Sequence, residues 1–227
     1  TRYIGDWSSD VCSSDLRRGA VDADGKTGDG AGIHVEIPQD FFKEYIRDSS
    51  GQDVQGGRVA VGTVFLPRTD LGAQERCRII VEAEILRAGH QILGWRQVPV
   101  DISVIGEKAN ATRPEIEQIL IGRGDPKLDN REFEKQLYIL RRRMEKAAIA
   151  ENIAEFYVCS LSCRSLIYKG MFLAEHLSAF YPDLLDERFV SRFAIFHQRY
   201  STNTFPQWKL ARSEEHTSEL QSPMYLV

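Results

Sequence analysis

The pattern of apolar runs predicts an α+β fold. Short β-branched or aromatic runs recur along the chain, the clearest at 58–66 (RVAVGTVFL), 156–162 (FYVCSLS) and 165–171 (SLIYKGM). Helical periods stand between only some of them, so strands and helices do not alternate as a βαβ fold requires. No segment repeats at a period of roughly 20–50 residues, which excludes solenoids and propellers.

The elements follow in order. A glycine-dense loop occupies 19–32 (GAVDADGKTGDGAG). IHVEI at 33–37 reads as a short strand, and Pro38 then opens a helix (PQDFFKEYIR) at its first turn. After a loop at 49–57 comes the buried strand 58–66. Asp70 is the natural N-cap of a helix running to about Ala88, and HQILGWRQVPV (90–100) is again extended. A loop at 122–130 leads to the clearest helix, 129–150, with Phe133, Leu137, Leu140, Met144 and Ala147 or Ala148 on one stripe. Arg141, Arg142 and Arg143 read as its solvated face, because Glu132, Glu134 and Glu145 lie within helical reach. The strands 156–162 and 165–171 are close enough for a hairpin around Cys163-Arg164. A helix over roughly 172–181 ends at Pro182, and RFAIFHQRYS (192–201) is a last strand running into STNTFPQW.

Composition bounds the class. The chain has 227 residues, 42% of them apolar and 27% charged, which suits a soluble globular protein of about one domain. No apolar run reaches about 18 residues, and no secretory signal is visible at the start. A net charge of -4 without a basic tract gives no sign of a nucleic-acid partner.

The two ends read differently from the middle. Residues 1–16 (TRYIGDWSSDVCSSDL) and 212–227 (RSEEHTSELQSPMYLV) have neither a helical nor a strand period. Back-translated, Arg212–Ser222 can be written as a DNA string whose reverse complement encodes Asp6–Leu16 in order. Unrelated protein ends have no reason to be reverse complements, and the string looks like a sequencing-library adapter. Both ends are therefore expected to be adapter-derived and disordered, and are set aside from fold reasoning. The insert is then 17–211, with 27 basic and 27 acidic residues and only Cys77, Cys159 and Cys163. An odd cysteine count without a secretion signal points to reduced thiols and a cytoplasmic setting.

Few constellations survive scrutiny. Gly25-Lys26-Thr27 resembles the end of a phosphate loop, but the required earlier Gly is Ala20, and no strong strand precedes it. Asp22, Asp24 and Asp29 suggest a calcium loop, yet Lys26 takes the place of an oxygen ligand. A loop whose glycines let backbones approach closely is the simpler reading. Cys159 and Cys163 have no second ligand pair for zinc. Cys159 is expected in the core and Cys163 at an exposed turn, and either needs a nearby base such as His197 to act as a nucleophile. The segment His197-Gln198-Arg199-Tyr200-Ser201-Thr202-Asn203-Thr204 puts a guanidinium fork among hydroxyl and amide groups at a strand end. The residues alone leave two readings open, a carboxylate clamp or a self-satisfied polar turn.

Three segments together carry a resemblance. RRGAVDADGKTGDGAG, FYVCSLS followed by IYKGM, and FHQRYSTNTFPQW resemble, in that order, the class II glutamine amidotransferase domain at the start of glutamate synthase large subunits. The likeness covers essentially all of 17–211. It implies an N-terminal-nucleophile hydrolase, a four-layer αββα sandwich, here incomplete. Such domains hydrolyse L-glutamine to glutamate and ammonia, using an N-terminal Cys thiolate and an Asn-Gly oxyanion hole. Carried over by position, Arg199 matches the arginine that clamps the α-carboxylate of glutamine, and Arg18 matches that of a His-Arg-Gly element near the nucleophile. Tyr200, Ser201 and Thr202 would form pocket wall, Trp208 nearby support, and Lys26 to Gly32 loop scaffolding.

The departures are as informative. Arg17 replaces the family's His, the nucleophile would lie upstream of Arg17, and the Asn-Gly pair would lie downstream of Trp208. Cys12 is internal and adapter-derived, so it is not the nucleophile. The fragment is therefore expected to hold a substrate clamp without catalytic groups and to be inactive. The full enzyme would aminate 2-oxoglutarate with FMN and an iron–sulfur cluster in synthase domains of the same chain, possibly with a small electron-donor subunit. The alternatives are another class II amidotransferase or a non-catalytic glutamine-binding module.

Overall fold

The computed structural model describes residues 2–3, 24, 26–28, 30–54, 57–197 and 207–211. It is a mixed α+β structure around two antiparallel sheets. The strands are β1 (Arg2–Tyr3), β2 (Ala31–Glu36), β3 (Ala60–Leu66), β4 (Gln91–Gln97), β5 (Glu115–Gly122), β6 (Tyr157–Ser162), β7 (Ser165–Gly170), β8 (Val190–Ser191) and β9 (Ala194–His197). The helices are α1 (Gln39–Ser50), α2 (Leu71–Arg87), α3 (Glu107–Ala111), α4 (Asn130–Ala150) and α5 (Leu177–Phe180). One sheet runs β4-β5-β3-β6 and the other β7-β2-β9; β1 and β8 form a two-residue ladder apart from both.

Helix boundaries follow their caps. Asp70 accepts the Ala73 amide at 2.8 Å and Asp129 that of Glu132 at 2.8 Å, each satisfying an orphan donor of the first turn. Along α4, Phe133, Leu137, Leu140, Met144 and Ala148 are buried at helical spacing, as the period predicts. They pack with Val81 and Ile85 of α2 onto Val64, Ile119 and Ile121 of the four-stranded sheet. A second core lies between the sheets and joins Ile33 and Val35 of β2 and Leu166 and Tyr168 of β7 to Val61, Phe65 and Leu120. Phe41, Phe42 and Ile46 of α1 close its side.

The structure departs from the sequence pattern in several places. Nothing in the pattern assigns β5, yet it is central to its sheet, between β4 and β3. It carries buried Glu117 and Gln118, which blur its apolar run; Arg78 pairs with Glu117 and Arg96 donates to Gln118 at 3.0 Å. The Cys163-Arg164 turn is not a hairpin within one sheet. β6 pairs with β3 while β7 pairs with β2, so the chain crosses there from one sheet to the other. Serine hydroxyls hold the crossing: Ser162 Oγ accepts the Arg164 and Ser165 amides at 2.9 and 3.2 Å. Arg141 is buried rather than solvated, donating to the Val158 carbonyl at 2.8 Å and to Glu145 at 3.1 Å. The helix expected at 172–181 is instead a 3₁₀ turn (Ala174–His176) and the single turn α5, which ends at Phe180 ahead of Tyr181-Pro182.

Candidate functional site

Strand register brings three segments to one end of the sandwich. Gly32 of β2 faces His197, the last residue of β9, and Ala31 faces Gly170, the last residue of β7. The glycine loop therefore enters the sheet where β9 hands the chain to 198–206. Gln207–Ala211 lies at the same place, since a side chain at Gly30 would meet the Ala211 Cβ at 3.1 Å. Gly30 also has φ +124, a conformation few side chains tolerate. At Gly28 an added Cβ would meet the Phe172 backbone at 2.7 Å, so the glycines do serve close backbone approach.

The loop is pinned locally. Asp24 accepts the amides of Thr27 and Lys26 at 2.7 and 3.0 Å and the Thr27 hydroxyl at 2.5 Å. The Thr27 bonds hold the Asp24 carboxyl below the usual carboxylate range. Lys26 Nζ reaches the Ser103 carbonyl at 3.2 Å rather than presenting itself to a phosphate. Gly25, Asp22 and Asp29 lie outside the described residues.

On the returning arm, Trp208 is buried among Phe65, Phe172 and Phe180, and its Nε1 donates to the Ala109 carbonyl at 2.9 Å. Sequence reasoning missed Lys169. It is 2% exposed, and its Nζ donates to Tyr157 Oη at 3.0 Å and to the Lys209 carbonyl at 2.9 Å. The cation also sits 4.4 Å from the centre of the Tyr157 ring. A lysine inside the otherwise apolar run SLIYKGM was the available signal. It ties β7 to the base of the 198–206 segment.

Arg18, Arg199, Tyr200, Ser201 and Thr202 lie outside the described residues. The cysteines are described, and the expectation of an exposed Cys163 is overturned. Its amide and thiol both approach Glu134 Oε2, at 2.9 and 3.1 Å, inside the core under α4. Burial, with the Glu134 carboxylate beside it, pushes the Cys163 thiol up to about 12. Burial pushes Cys159 up to about 12 and Cys77 to about 11. These groups stay protonated near neutral pH and are poor nucleophiles. His197 lies at the opposite end of β2 from Cys163, because the Cys163 turn abuts Glu36 and His197 faces Gly32. Among the described residues no three His, Cys, Asp or Glu gather as metal ligands, and no helix is long and apolar enough to cross a membrane.

Comparison with known proteins gives this frame a family. Residues 10–219 match the model of class-II glutamine amidotransferases, and the chain belongs to that family. It is 65% identical, over 195 residues, to the NADPH glutamate synthase large chain of Azospirillum brasilense. It is 40% identical to the large chain from Bacillus subtilis, and 41% to the chloroplastic ferredoxin-dependent glutamate synthase of Spinacia oleracea. These alignments cover 86–88% of this chain but only 12–13% of each relative's length.

Proposed function

We propose that residues 17–211 are part of the glutaminase domain of a glutamate synthase, serving hydrolysis of L-glutamine to glutamate and ammonia. In this reading Arg199 grips the α-carboxylate, with a guanidinium fork matched to two carboxylate oxygens. Arg18 lies near the reacting end, and Tyr200, Ser201 and Thr202 wall the pocket. The observation that carries the reading is the convergence at one sheet end. Gly30 and Gly32 meet Ala211 and His197 there, the described residues on either side of 198–206.

The two facing sheets, with α2 and α4 outside one of them, fit three layers of an αββα sandwich. Residues 1–16 and 212–227 are adapter-derived in this reading, although Arg2–Tyr3, expected to be disordered, pair as a short strand with β8 and the family match runs over 10–219. The 227-residue chain alone is expected to be inactive, and burial that pushes the Cys77, Cys159 and Cys163 thiols up supports this, as none is suited to act as the nucleophile. Ammonia produced in the parent enzyme would aminate 2-oxoglutarate in its synthase domains, where FMN and the iron–sulfur cluster would reside, with a small subunit as electron donor. A cytoplasmic setting suits three unpaired, buried thiols.

The test is ammonia release from glutamine. The native reading frame, restored upstream of Arg17 and downstream of Ala211, is expected to turn over, with kcat/KM roughly a hundredfold lower in Arg199→Ala. The 227-residue chain is expected to release nothing above its own Arg199→Ala control. Turnover by that chain which disappears in Cys159→Ser or Cys163→Ser would refute the nucleophile assignment.

A further inference from the structure

A cationic hollow lies at the same end of the molecule, on the side of the four-stranded sheet. There β3 ends, and β5 and β6 begin: Leu66 faces Glu115 and Phe65 faces Tyr157. A cavity of about 460 Å³ opens between them, walled by Phe65, Tyr157 and Trp208 and lined by Arg68, Arg113 and Lys209. That volume is within the range of roughly 300–1,000 Å³ typical of small-molecule sites.

The two arginines are unlike most others in the chain. Arg58, Arg78, Arg96, Arg141, Arg188 and Arg192 each pair with a carboxylate. Arg68 and Arg113 are in no ion pair among the described residues. Instead Arg68 Nη1 and Arg113 Nε both donate to one neutral atom, Asn110 Oδ1, each at 3.4 Å. Their other bonds, to the carbonyls of Ala111 and Pro114, are also 3.4 Å long. Guanidinium does not shed its proton in proteins, so two like charges are held around a single amide oxygen by four long bonds. Burial, and then the neighbouring Arg68 charge, hold Arg113 below the ordinary guanidinium range. Glu155 is the one carboxylate on the wall among the described residues, and it is exposed. Charge-assisted bonds to an oxyanion would replace long neutral ones and relieve the repulsion.

We propose that Arg68 and Arg113 form an anion site, separate from the glutamine clamp, that takes the carboxylate or phosphate of a small compound. The aromatic wall receives the compound's apolar part. Phosphate and carboxylate are told apart by titrating the 227-residue chain calorimetrically with inorganic phosphate and with succinate, against chloride at matched ionic strength. Saturable binding of at least one probe is expected, weakened roughly tenfold in Arg68→Gln and in Arg113→Gln. Arg142→Gln, which alters an exposed arginine paired with Glu145, is expected to change nothing. If a Gln variant does not fold, Arg68→Lys or Arg113→Lys keeps the charge but loses the planar fork, and weaker binding is again expected. No saturation by either probe, equal saturation by chloride, unchanged affinity in the arginine variants, or displacement by L-glutamine each overturns the proposal.

Discussion

Between α2 and α4 and the four-stranded sheet, the buried apolar side chains are mostly aliphatic, with His90 edge-on to Phe133 at 5.0 Å, and the charged groups join helix to strand: Arg78 of α2 pairs with Glu117 of β5, and Arg141 of α4 donates to the Val158 carbonyl. Between the two sheets an ion pair sits among the apolar groups. Arg96 meets both oxygens of Asp183 at 2.5 and 2.7 Å, Tyr168 Oη donates to Asp183 at 2.7 Å, and Gln118 bridges Arg96 and Tyr168. The outer core is built chiefly on apolar volume at the right period, and the arginine of its Arg78–Glu117 pair stays partly exposed. The inner core must fix one sheet against another, so that the glycine loop, β7 and β9 end together. Directional, charge-assisted bonds serve that purpose where interchangeable methyl groups do not.

Three perturbations sharpen or break this contrast. The largest effect is expected from Asp183→Ala, which strands a buried guanidinium and should cost about 3–5 kcal/mol by denaturant midpoint. Replacing the pair together, Arg96→Met with Asp183→Leu, should recover much of that loss. A single variant milder than the double would mean that the ion pair does not organise the inner core. Next, Leu137→Ala in the outer core should cost about 2–5 kcal/mol through lost burial and a cavity, set by how far the site can collapse. The smallest effect concerns His90, which burial holds below its ordinary 6.5. The unfolded chain then takes up a proton first, so stability present above pH 6.5 is lost as pH falls through that value toward the folded one. His90→Gln should flatten that slope between about pH 5 and 7. An unchanged slope would move its origin elsewhere.

The same contrast governs what the sequence could reveal. The stripe of α4 and the cap at Asp70 are local patterns, and both are present where the period and the cap residue put them. β5 escaped because Glu117 and Gln118 interrupt its run, and their partners Arg78 and Arg96 come from α2 and β4. Cys163 looked exposed because it follows a strand at a turn, while the Glu134 that encloses it lies on a helix packed there by tertiary structure. At the candidate site, the close backbone approach at Gly28 and Gly30 was legible, while HQRYSTNT beyond His197 lies outside the described residues. Lys169, which fastens the segment's base through a backbone carbonyl, depended on a contact 40 residues away.

The middle strand of the three-stranded sheet has a consequence for synthesis. β2 is made early, but at Ile33 one edge waits for Tyr168 and the other for Phe196. At roughly 5–20 residues per second, that delay on the ribosome is on the order of 10–30 seconds. Throughout it β2 offers two bare edges to any passing strand. Closure of this sheet is therefore timed by emergence of the last third of the polypeptide, however quickly the helices form.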